Sequence, residues 1–197
     1  MPNPTRNAHP APEATVSAKH ADLHASLMKS GTLVINEGIS NASLYSVYLP
    51  LVAMVEERQK LATAAPIEII INSPGGNAFM GLSIAKFIAN STVPITTRVV
   101  GWAASAAGII FLGGHHRIVS PGSRVMLHDS TWGYEAYGAN STQRLAQAHR
   151  ELDDESVDFI AERTGLDRTY VKEECSKDHW YISSSNALAH GMATRIA

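Results

Sequence analysis

Three short stretches carry side chains whose types could serve acyl transfer. In Gly101-Trp-Ala-Ala-Ser105-Ala-Ala-Gly108 a serine lies just past a strand-like run, among side chains too small to block its hydroxyl. A strand-to-helix turn exposes a nucleophile while the following amides point at a bound carbonyl oxygen. Small residues are equally what two closely packed elements need, and the Gly-x-Ser-x-Gly spacing of a hydrolase elbow is absent, so the motif alone leaves both readings open. In Asn72-Ser-Pro-Gly75-Gly76 paired glycines after a β-branched run let a peptide backbone approach and leave amide donors unobstructed, as an oxyanion hole requires. The same residues also make an ordinary tight turn. His128 closes the run Val-Met-Leu, and a histidine at a strand terminus can reach a serine across neighbouring strands and act as general base near neutral pH. Of the other histidines, His115 and His116 sit in a glycine loop, His9, His20 and His24 fall in or beside the amino-terminal arm, and no pair has metal-ligand spacing.

These residues need a scaffold that brings distant segments to one place, and the hydrophobic pattern supplies it. Thr32 to Gly38 reads as a first strand and residues 42–61 repeat apolar side chains at helical spacing. Residues 66–72 form a β-branched strand, residues 77–90 return to helical spacing, and residues 95–100 make the next strand after Pro94. Residues 103–112 read as a small-residue helix, 116–120 and 123–128 as short strands around Pro121-Gly122, and 141–164 as a long helix. Asp167 precedes a further apolar helical pattern and reads as a cap or a surface charge. Alternating strands and helices with long crossovers indicate an α/β fold with a mostly parallel core sheet. Residues 1–20 carry four prolines among small polar side chains and too little apolar surface to offset ordering, so they read as a flexible arm.

Composition narrows the function classes. A chain of 197 residues suits one ordinary domain, here expected over 21–197. The single cysteine, Cys175, has no partner for an internal disulfide and no thiol-catalysis signature; it reads as a packed thiol in a protein of a reducing compartment. Sixteen basic against eighteen acidic residues leave no footprint for nucleic acid. Apolar runs such as 51–55 and 103–112 are short of the roughly 20 residues that span a bilayer, so no membrane partner is expected. The proline-broken polar start does not look like a secretory signal, which makes a cytoplasmic location the default expectation.

The three stretches, in this order, resemble the ClpP family of self-compartmentalising serine peptidases. The likeness runs from about Leu33 to the carboxyl end and is densest at 71–76, 101–105 and 123–128. It implies a ClpP/crotonase-like fold of stacked β-α-β units, with a protruding handle at about 131–164. It implies Ser105 as nucleophile, His128 as general base, the amides of Gly75 and Ala106 as oxyanion hole, and an extended peptide held beside Gly76, Asn77 and Ala78. It also implies two stacked seven-membered rings of identical chains, unfolded polypeptide as substrate, and an unfolding ATPase of the AAA+ class as partner; no metal or other cofactor is called for. The chain has no Gly-x-x-x-x-Gly-Lys-Ser/Thr loop of its own for ATP.

The triad acid departs from the family pattern. The relevant stretch is Ser176-Lys-Asp178-His179-Trp-Tyr-Ile-Ser183. Aligned without a gap, it puts His179 at the family's aspartate position, whereas one inserted residue restores Asp178, which is the acid expected here. Asp129 adjoins His128, and strand neighbours face opposite ways, so it is a poor substitute. Asp129-Ser-Thr-Trp after the histidine replaces the Gln-Pro usual in the housekeeping family. Three alternatives stand beside a general peptidase: a crotonase-type acyl-CoA enzyme, disfavoured by the serine-histidine pair, a catalytically silent ring subunit, and a ClpP-like peptidase dedicated to one substrate such as a capsid precursor.

Overall fold

The computed structural model describes residues 22–61, 65–130 and 139–197, so the expected arm at 1–20 and the start of the expected handle, 131–138, lie outside the described residues. Residues 22–29 form a first helix, α1. Then follow β1 (Thr32–Ile35), a π-helical turn (Leu44–Tyr48) running into α2 (Leu49–Lys60), β2 (Ile67–Ser73), α3 (Ala78–Ala89), β3 (Ile95–Ala104) and α4 (Ala106–Gly113). The chain continues through β4 (His116–Val119), β5 (Arg124–Leu127), α5 (Ala139–Thr164), α6 (Arg168–Ser176), β6 (Trp180–Ser183), α7 (Ser184–Ala189) and β7 (Arg195–Ile196). The fold is α/β with a mostly parallel sheet, as the alternation of periods predicts.

The sheet runs β1-β2-β3-β4-β7, and β5 and β6 branch from it. The fork lies in β3. Its first half, Thr96 to Val99, pairs with β4, and its second half, Trp102 to Ala104, pairs with β5. Gly101 marks the change of direction at φ 91°, where a Cβ would press on the Asn72 side-chain oxygen. Every pairing is parallel except β5 with β6, which is antiparallel.

One sequence expectation is corrected here. Ala103 and Ala104 belong to the strand rather than to the following helix, because Ala103 pairs with Val125 and Ala104 with Met126. Their small side chains suited either element, and the ladder decides. The helix begins only at Ala106 and is buried along its whole length, wedged under α3 and the sheet. Strand residues Ile67, Ile69, Ile71, Ile95 and Val99 and helix residues Ile84, Ile88, Ile110, Phe111 and Leu112 form the surrounding core. The long helix α5 adds Leu152, Val157, Phe159 and Ile160 from its second half. Asp167 caps α6, its carboxylate accepting from the amides of Thr169 and Tyr170.

Candidate active site

Ser105 stands between β3 and α4, so the fold turns at this residue from an extended strand to a buried helix. Its backbone, at φ 53° and ψ −125°, is a conformation that non-glycine residues avoid. Two bonds hold it there: the Ser105 amide donates to the Met126 carbonyl (2.7 Å), and its carbonyl accepts from Ile109 at the start of α4 (3.1 Å). The turn throws Oγ out of the helix, to 2.9 Å from His128 Nε2. His128 reaches it because β5 runs alongside the second half of β3, which delivers the residue after Leu127 next to the residue after Ala104.

The imidazole of His128 is half-buried, and its pKa lies below the ordinary 6.5 because burial disfavours the cation and His179 lies close by. Asp129, Asp153 and Asp178 pull in the opposite direction without cancelling this. The neutral base needed to accept a serine proton is therefore the favoured form at neutral pH.

The glycine turn lies against the same serine. A Cβ on Gly75 would clash with the Ala104 carbonyl and Ser105 Cβ and would stand 3.0 Å from the Ala106 nitrogen, so only glycine lets this backbone come so close. Ala106 is the first residue of α4, where the amides have no partner within the helix. The Gly75 amide donates, at 3.2 Å, to the Ser73 hydroxyl, which in turn donates to the Glu37 carbonyl. Beyond it, Ile39 bridges to Gly76 through Ile39 N to Gly75 O and Asn77 N to Ile39 O, both 2.7 Å. In such a bridge the bonding groups of Gly76 itself face away from Ile39. The Asn77 side chain caps α3 by accepting from the Met80 amide, and Ala78 lines the cavity beside Ser105.

That cavity, of about 30 Å³, has walls from Ala78, Ile109, Val157 and Ile160 and carries the carboxyl groups of Asp129 and Asp153. The carboxyl of Asp129 is held above its ordinary pKa by burial and then by Asp153. A wider cavity, of about 250 Å³, adjoins it over Gly76, Phe79, Ser130 and His149. Asp178 sits elsewhere: its exposed carboxylate contacts His179 Nδ1 at 2.6 Å, and among the described residues no carboxylate is hydrogen-bonded to His128. Sequence reasoning did not single out Ser73, Asp153 or Ser130. Their signal is purely tertiary, such as the bond from the Ser130 amide to Asp153 Oδ1 across to α5. Among the described residues no cluster of three potential metal ligands occurs, and no helix is long and apolar enough to cross a membrane.

A serine in a strained turn, an imidazole within hydrogen-bond reach of it and a glycine backbone pressed on the serine set the comparison with known proteins. The family profile described as Clp protease matches residues 15–197. This chain belongs to the Clp protease family. Its relatives include the ATP-dependent Clp protease proteolytic subunit 1 of Salinibacter ruber, 28% identical over 93% of this chain and 78% of the relative. Subunit 2 of Gluconobacter oxydans is 27% identical over 92% of this chain and 80% of its own length. The fold of this Clp protease family member also matches the solved structure of a ClpP1 mutant from Listeria monocytogenes, with a TM-score of 0.75 and 22% identity, over 89% of this chain and 95% of the other.

Proposed function

We propose that this Clp protease family member is a serine endopeptidase in which Ser105 is the nucleophile and His128 its general base. The observation that carries the reading is the 2.9 Å contact between Ser105 Oγ and His128 Nε2 at a strained turn. His128 takes the hydroxyl proton as Oγ bonds to the scissile carbonyl carbon, then returns it to the leaving amine as the C–N bond breaks. Water repeats the sequence on the acyl-enzyme and frees the carboxylate. The amides of Gly75 and Ala106 receive the oxyanion once the Gly75 N–H turns from the Ser73 hydroxyl, and the peptide lies extended along Gly76, Asn77 and Ala78.

The substrates are unfolded polypeptides, degraded inside a chamber made by two stacked seven-membered rings in the cytoplasm and fed by an AAA+ unfoldase. The names of the relatives, as ATP-dependent proteolytic subunits, support this reading. The test is fluorophosphonate labelling combined with native mass spectrometry. The expected result is one label per chain, on Ser105 and absent from Ser105→Ala, in a particle fourteen times the mass of the 21.2 kDa chain. An assembled particle that takes no label would overturn the peptidase reading.

A further inference from the structure

The antiparallel ladder between β5 and β6 pairs Arg124 with Ser183, Val125 with Ile182, Met126 with Tyr181 and Leu127 with Trp180. Continued by one residue, that register sets His128 opposite His179. Cross-strand partners share a face of the sheet and strand neighbours do not, so Asp178 is directed away from the general base. The rings follow the register. His179 stacks on His128 with centroids 5.1 Å apart and planes 27° from parallel, and it also meets Tyr181 at 5.8 Å and 26°. Tyr181 in turn leans on Trp102 of β3. His179 thus contacts both the general base and an aromatic pair, Tyr181 and Trp102, on the same sheet. Its Nδ1 is held at 2.6 Å by Asp178, whose backbone adopts φ 150°, a second outlier within reach of the site.

We propose that His179 takes the place of the orienting acid, positioning the His128 ring by stacking, and that Asp178 acts on His128 only through His179. This rests on the peptidase reading of Ser105 and His128 given above. His179 is a positioning residue, since it touches the base and not the serine. The stack fixes the imidazole plane so that Nε2 stays directed at Ser105 Oγ, and the carboxylate of Asp178 fixes the rotation of the second ring. The titratable groups whose charge reaches His128 are His179, stacked on it, and Asp178 behind His179 from the β6 side, Asp129 from its own strand end and Asp153 from α5.

The experiment follows the rate of fluorophosphonate labelling at Ser105 against pH, together with NMR titration of the His128 ring in the same full-length variants. His179→Phe keeps a flat ring and is expected to hold the plateau rate within about threefold, whereas His179→Ala loses the stack and is expected to fall about tenfold or more. In both, loss of the neighbouring imidazole moves the His128 midpoint and the acid limb to higher pH, a change that a purely structural role would not produce. Asp178→Ala alone lowers the rate by less than the roughly 10⁴ that follows loss of a directly bonded acid. In the His179→Phe background it has no further effect. An Asp178→Ala loss that persists in full in that background overturns the proposal, as does a His179→Ala protein whose rate and His128 midpoint match the parent. Should His179→Ala fail to fold, His179→Phe and the double variant carry the test. A parent without label sinks the peptidase reading, and the NMR midpoints then still decide the stacking.

Discussion

A general base works only while its accepting nitrogen is free of a proton, so in the role proposed for His128 the same burial that costs it its cation extends its working range toward acid. Its pKa lies below 6.5, with burial the main cause and His179 the next. The acid limb of kcat/KM for a short peptide is therefore expected below pH 6.5, and the pH profile of hydrolysis checks this. Asp129 opposes the shift, so Asp129→Asn removes a carboxylate that favours the imidazolium and should move that limb to still lower pH. Cys175 gives the matching contrast in a group without chemistry. It is buried behind the aspartates of the cavity, and burial, with Asp129 and Asp153, raises its thiol to about 12. Native protein should resist maleimide at pH 8 and take one equivalent on unfolding, a difference that a mass spectrum reads directly.

At the scale of elements, the site depends on how closely α3 can approach the first turn of α4. Gly81 in α3 has no room for a side chain: a Cβ there would meet Ala106 Cβ at 2.7 Å and the Ala106 carbonyl at 3.0 Å. Gly81→Ala is expected to push the amino end of α4 aside, shift the Ala106 amide and lower labelling of Ser105 by about 10²-fold, the cost of misplacing a catalytic group by about an ångström. Ala106→Gly in the same chain should recover most of the loss, and an unchanged rate in the single variant would contradict this role for α3. That contact was not visible in the sequence, where Gly81 is one small residue in a helical pattern. That Ser105, His128 and the glycine pair come together was legible because the nucleophile, base and bare backbone proposed for them call for residue types that few other demands explain. The position of Asp178 was not legible, because a choice of one residue in a strand is a choice of face, and only the ladder with β5 makes it. The end of β3 was misread for a related reason: alanines have no period, so pairing with Val125 and Met126 had to declare them strand.

Across the whole molecule, the ends of three separated segments meet on one guanidinium. Arg117 in β4 is buried and, among the described residues, forms no ion pair with a carboxylate; it donates from Nε to the Met192 carbonyl, from Nη1 to Gly114, and from Nη2 to both Arg163 and Gly191. These are carbonyls left over where α4, α5 and α7 finish, and the negative ends of helices suit a cation. Burial, with Arg163 nearby, pulls the Arg117 pKa down to about 10, which still leaves it charged at neutral pH. Arg163 braces the same junction from the end of α5, donating to Leu112 and Gly114. The clasp therefore ties α4, the helix that starts just after Ser105, to α5 and to the carboxyl-terminal segment. Arg117→Met should strip the Met192, Gly191 and Arg163 carbonyls of this donor and cost about 3 kcal/mol. For a chain of this size that is a fall in Tm of roughly 6 to 12 °C, readable by calorimetry. Arg117→Lys keeps the charge but presents one compact ammonium where a planar fork reaches four oxygens, so it should recover only part of the loss. A lysine variant as stable as the parent would show that charge at the helix ends, rather than the fork of hydrogen bonds, holds the three segments together.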